Sequence, residues 1–114
     1  MYSTNTTNTQ INVTGFRIIY DNNNFQISVD ENAKLTHMSF NRYITVSAKS
    51  TITVLSSSTI PEKYCPNTTS IHYLQNTIGI HYLTVGYLGE VKIYSELART
   101  NNNCQFNIVY RNKC

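Results

Sequence analysis

Tryptophan is absent from this 114-residue chain, proline occurs twice, glycine four times and cysteine three times, and only 13% of the residues are charged. Each shortage excludes something. Cys65, Cys104 and Cys114 are too few for a disulfide scaffold and too widely spaced for a CxxC zinc pair. They read as reduced thiols, with a single Cys65 to Cys104 bridge as the alternative. The charge content lies well below the roughly 25% of an average soluble domain, so Asn, Thr and Ser carry the polarity. A net charge of +3 spread over scattered Lys and Arg residues forms no basic stripe, which argues against nucleic acid as a partner. No apolar run reaches the roughly eighteen residues of a membrane span, and the start "MYSTNTTNTQ" has neither the cationic nor the apolar part of a signal peptide. No membrane insertion is expected.

What remains is a length suited to one domain. Residues 1–10 read as a flexible Thr/Asn-rich linker or an added start on a domain cut from a longer chain, and residues 11–114 as one β-sandwich domain.

Apolar residues recur at every second position in short runs bounded by Asn, Asp, Gly and Ser, the pattern of half-buried strands. "FRIIY" and "FQISV" flank "DNNN", and Asp and Asn tolerate left-handed backbone, so residues 16–29 predict a β-hairpin. "HMSF", "RYITV" and "TITVL" follow, with Phe40, Ile44, Val46, Ile52 and Val54 as inward candidates and "SAKS" as the turn between the last two. "SIHYLQ" and "IGIHYLTVGY" alternate again, and "LGE" turns the chain into "VKIYS" as a second hairpin. A polar loop, "LARTNNN", precedes a closing strand "CQFNIVYR", with Phe106, Ile108 and Tyr110 on one face and Val109 on the other. Only "SELART" has the composition of a helical turn. About eight or nine short strands at spacings near ten residues predict an all-β, antiparallel β-sandwich of jelly-roll type.

Catalytic patterns are scarce. No two carboxylates are placed for glycosidase chemistry, and no GxSxG context or strained nucleophile turn is present. The phrase "IHYL" occurs twice, putting His72 and His81 on neighbouring strands; a metal reading needs a further ligand, for which Glu90 and Glu96 are the candidates. The expectation is no enzyme, no metal and no cofactor, with the two histidines as half-exposed strand residues. The sequons at Asn5, Asn12 and Asn67 are what chance gives in a chain so rich in Asn and Thr.

The nine tyrosines are more informative. Tyr joins a flat apolar face to a hydroxyl, which suits a sugar ring, and Asn offers donor and acceptor together. Tyr73, Tyr82, Tyr87 and Tyr94 cluster in the second half and, with His72, Asn101 and Asn102, form the predicted ligand-binding set. The segments "TNNN" and "DNNN" are the other candidates, because loops carry function on β scaffolds. Core packing and subunit contacts are the competing use of the same tyrosines.

One phrase goes further. "IPEKYCP" at residues 60–66, preceded by "RYITVSAKSTITVL" and followed by "VGYLGEVKIYS", resembles the C-terminal head domains of tailed-phage tail fibres and receptor-binding proteins. Those domains carry a Leu-Pro-Glu-Gly-Tyr-Arg-Pro phrase and a later hairpin of "dGxvxi" type. Pro61, Glu62, Tyr64 and Pro66 match it, while Ile60, Lys63 and Cys65 replace its leucine, glycine and arginine; Gly89, Val91 and Ile93 match the hairpin. The likeness spans roughly Arg42 to Tyr110. It implies a homotrimeric head at a virion fibre tip that binds a host surface polysaccharide or other glycan without catalysis. A structural trimerisation cap, a decoration domain or a small secreted lectin are the alternatives. Physically, Pro61 and Pro66 hold the residues before them extended and remove two amide donors, so the chain is expected to leave one sheet for the other there, with Tyr64 over the end of the core.

Overall fold

Asn23 and Asn24 take φ values of 50° and 62°, the pair of left-handed residues that a tight two-residue hairpin turn requires. They join β1 (Arg17–Asn22) to β2 (Phe25–Asp30). The computed structural model describes residues 15–75 and 77–114. The linker expected over residues 1–10 and the sequons at Asn5 and Asn12 lie outside the described residues, as do residues 11–14 of the expected domain; Asn67 is exposed.

Among the described residues six further strands follow: β3 (Leu35–Val46), β4 (Ser50–Leu55), β5 (Ser70–Tyr73), β6 (His81–Val85), β7 (Val91–Ser95) and β8 (Arg99–Arg111). They form two antiparallel four-stranded sheets, β1-β2-β3-β8 and β4-β7-β6-β5. The β-sandwich read from alternation is therefore present. Its second sheet is one Greek key, the β5-β6-β7 meander with β4 beside β7, and its first is a β1-β2-β3 meander closed by β8. A jelly roll has two Greek keys, and this strand order supplies one.

Phe25, Phe40 and Phe106 stand opposite one another on β2, β3 and β8. Phe40 and Phe106 stack at 4.7 Å, and Phe25 meets Phe40 edge-on at 5.3 Å. Aromatic pairs of this kind add about 0.5–1.5 kcal/mol beyond the area they bury. Ile27, Met38 and Ile108 extend this face, and Leu83, Val85, Val91 and Ile93 from the second sheet complete the core. Phe40, Ile44 and Val46 are buried as expected, and Ile52 and Val54 are half-buried.

Other expectations give way to the structure. "HMSF" and "RYITV" are a single strand, β3, because the 13-residue β8 supplies enough partner length to pair with it from Leu35 to Val46. "RTNNN" is not a loop: Asn102 and Asn103 pair with Ile44 and Tyr43, and a bulge takes up the irregularity at Asn101, whose φ is 47°. "SELART" contains no helical turn, whereas a short 3-10 turn forms at Glu62–Tyr64. The proline corner does not change sheets, because β4 and β5 are opposite edges of the same sheet.

That corner packs onto the first sheet. Cys65, before Pro66, is extended at φ −88° and ψ 160°, as the proline ring demands. Tyr64 is 2% exposed. Its carbonyl accepts hydrogen bonds from Thr36 Oγ1 and from the Tyr110 hydroxyl, each at 2.8 Å. Its own hydroxyl donates to Glu31 and accepts from Arg17 Nη2 at 2.7 Å. The end of the core is thereby closed. Lys63, which stands where the resembling domains have glycine, lies inside the helical turn and is not among the residues of positive φ.

Candidate functional site

The sandwich has one side on which two sheet edges face each other. β5 is the last strand of its sheet and β8 the last of the other, and the inter-sheet space opens between them. Two adjoining clefts lie there. One, of about 340 Å³, is lined by residues of both edges: His72, Tyr73, Leu74, Gln75, Leu83, Gln105, Phe106, Asn107 and Ile108. The other, of about 390 Å³, is lined by Leu74, Gln75, Thr77, His81, Asn102, Asn103, Cys104 and Gln105. The shared Leu74, Gln75 and Gln105 make them one groove.

Alternation explains the lining. On β8, Cys104, Phe106 and Ile108 face the core and form an apolar floor, while Gln105 and Asn107 between them stay exposed and bring amides to the rim. On β5, Ser70 and His72 face inward and Ile71 and Tyr73 outward. The result is an apolar slot edged by amides, the mixed character of small-molecule sites.

Tyr73 is 64% exposed at the rim. Register sets Tyr73, Tyr82 and Tyr94 side by side on β5, β6 and β7. The Tyr73 and Tyr82 rings are 5.2 Å apart and tilted; those of Tyr82 and Tyr94 are 5.0 Å apart and stacked. Tyr82 is therefore flanked by a ring on either side. Tyr73, on the edge strand, ends the row and keeps its outer face uncovered by any other described ring. Tyr82 and Tyr94 are its buttress.

The other predicted residues are dispersed. Tyr87 lies in the β6–β7 turn, its carbonyl accepting from Lys113 Nζ at 2.7 Å and its ring 5.7 Å from the same cation. Asn101 lies in the bulge and donates its backbone N–H to Thr45 Oγ1 at 3.0 Å. Asn102 lines the groove. "DNNN" contributes Asn23 and Asn24 to a separate hollow of about 330 Å³ with Asn41, Arg42, Tyr43 and Asn103. Residue type alone does not single out Gln75, Gln105 or Asn107. For the last two a signal exists in their alternation with Phe106 and Ile108 along the closing strand.

His72 is half-buried and bonded to Ser70 Oγ, and burial lowers its pKa. His81 departs from the expectation of half exposure: it is buried, and burial first, then the charge of Arg99, holds its pKa below the usual range. The two histidines share a face but not a register position, since His72 opposes Leu83 while the Leu74 N–H donates to the His81 carbonyl at 2.8 Å. Among the described residues no three His, Cys, Asp or Glu side chains gather as a metal set. Cys104 lines the same cleft as His81 without a hydrogen bond to either ring nitrogen, and burial pushes its thiol up to about 11. An activated nucleophile needs the opposite shift.

Compared with protein-family models, curated proteins and solved structures, the chain matches none.

Proposed function

We propose that this chain is a non-enzymatic binding head that attaches to a saccharide, the receptor-binding tip of a phage fibre acting on a host surface polysaccharide. The observation that carries the saccharide reading is the groove between β5 and β8, whose lining includes Tyr73 and the amides of Gln75, Gln105 and Asn107. An aromatic face takes the C–H side of a sugar ring, and primary amides meet neighbouring hydroxyls with donors and an acceptor each. The virion assignment rests on the phrase at residues 60–66 and its partner hairpin. Homotrimer formation accords with it, since closed symmetry covers exposed strand edges and repeated weak sites gain avidity.

A second reading, a structural cap, is favoured by one observation. Ile71, Ile78, Ile80 and Leu97 are exposed on or beside the strands that carry the tyrosine row, and exposed apolar groupings mark protein interfaces. The decisive experiment is light scattering of the purified protein together with binding to an array of bacterial surface glycans. A trimer that binds glycans, and loses them on Tyr73→Ala at unchanged mass, supports the receptor head. A trimer that binds none supports the cap, and a monomer that binds none removes both.

A further inference from the structure

His81 is 2% exposed, yet neither Nδ1 nor Nε2 has a hydrogen-bond partner among the described residues. A buried polar group left unsatisfied costs stability and needs a reason. Its position supplies one. Strand alternation turns His81 inward with Leu83 and Val85, and it lines the cleft shared by Gln75, Thr77, Asn102, Asn103 and Gln105. The cleft volume of about 390 Å³ falls at the lower end of ligand sites, roughly 300–1,000 Å³.

We infer that His81 is the inner recognition group of a subsite for an uncharged, hydroxyl-bearing sugar residue, a reading that rests on the saccharide function proposed above and narrows it. The chemistry of the lining selects the class. None of the described residues lining either half of the groove carries a formal charge at neutral pH with His neutral. A carboxylate, sulfate or phosphate entering there meets no lining cation; the guanidinium of Arg99 lies outside the lining, giving Nε to Ser95 Oγ at 2.7 Å and Nη2 to the Ile78 carbonyl at 2.6 Å. A cation meets no carboxylate. A neutral imidazole has one N–H donor and one ring-nitrogen acceptor. A sugar hydroxyl is itself donor and acceptor, so it pairs with whichever ring nitrogen faces the cleft, protonated or not. An anionic group offers acceptors alone and leaves the acceptor nitrogen unpaired.

The test is an array of neutral and acidic bacterial glycans probed with the intact protein, followed by the imidazole 1H–15N spectrum with a bound glycan added. Binding confined to neutral glycans, with the His81 ring signals displaced on saturation, supports the subsite. His81→Leu then weakens that binding about three- to tenfold, the range of one neutral hydrogen bond, and His81→Gln, which keeps a donor and an acceptor, loses less. Preference for acidic glycans, or neutral binding that leaves the His81 signals unmoved, overturns the subsite and leaves the saccharide function standing. Binding to no glycan at all overturns both. The wild-type spectrum gives the answer even where a His81 variant fails to fold.

Discussion

A Cβ placed on Gly89 would lie 3.0 Å from Cys65 Sγ and 3.1 Å from Ile60 Cγ1. The proline corner and the β6–β7 hairpin, the two phrases of the tail-fibre resemblance, therefore touch, and the Ser58 N–H donating to the Leu88 carbonyl at 2.9 Å ties them further. Gly89 also has a φ of 90°, where an L side chain is strained by roughly 1–2 kcal/mol. Gly89→Ala is expected to destabilise the fold by at least that amount and to lower Tm by several degrees. A thermal melt equal to wild type would show that the corner and hairpin can separate freely.

The Tyr110 hydroxyl is the second tie. It donates to the Tyr64 carbonyl, and burial raises the phenol's pKa, so it stays protonated throughout the physiological range. Tyr110→Phe removes that donor while the Thr36 hydroxyl still serves the same carbonyl. The expected loss is about 1 kcal/mol in urea unfolding, the net worth of one neutral hydrogen bond. Thr36→Val with Tyr110→Phe leaves the carbonyl without either donor and should cost more than the two single changes added together.

Much of this fold is legible in the sequence because one side of each strand is buried and the other wet. Phe106, Ile108 and Tyr110 declare their face by period alone, and Asn23 and Asn24 announce the first turn by tolerating positive φ. What period cannot show is which strands become neighbours. The pairing of β4 with β7, and hence the passage of the proline corner from edge to edge of one sheet, depends on contacts far apart in sequence. The groove is partly legible for the same reason. Tyr73, His72 and Asn102 stand out by residue type, but that Tyr73 ends the tyrosine row, and that Gln105 lines the groove with it, follows only from β5 and β8 being edges.

Acid should weaken the protein in two stages. Burial lowers the folded pKa of His37, His72 and His81 below their ordinary 6.5, with Arg99 adding to the effect at His81. Unfolded histidines then take up protons first, so the unfolded state binds more of them and stability falls as pH drops below about 6.5. Glu31 is held below the usual carboxylate range, first by the Tyr64 hydroxyl and then by Arg17. Its contribution is present above the unfolded carboxylate pKa, about 4.3, and is lost as pH falls through its folded value. Urea midpoints measured from pH 8 to pH 3 should be level at the top, decline through the histidine range, and decline again in the carboxylate range. A midpoint that holds steady from pH 7 to pH 5 would contradict the histidine part.

The three thiols should separate kinetically. Cys65 and Cys104 are buried and free, Cys114 is exposed and free, and burial raises the pKa of the first two. A thiol reagent at neutral pH is expected to modify Cys114 promptly in the native protein and the other two only in denaturant. Rapid native modification at Cys104, located by peptide mapping, would mean that the cleft beside it opens far more widely than its 2% exposure allows.

Tyr73 and Tyr87 make the sharpest comparison, because both are exposed aromatics and stand level as candidates in the sequence. Tyr73 ends the row of rings and borders the groove; Tyr87 is held in a turn against Lys113. If the groove is the saccharide site, Tyr73→Ala removes a stacking surface and should weaken glycan binding about tenfold, while changing stability little at so exposed a position. Tyr82→Ala removes the ring behind it, so binding should fall less and stability more. Tyr87→Ala should leave binding unchanged. Isothermal titration of the wild type and the three variants against one bound glycan, with urea unfolding of each, separates these outcomes. Equal losses at Tyr73 and Tyr87 would move the site away from the groove and onto the wider tyrosine surface.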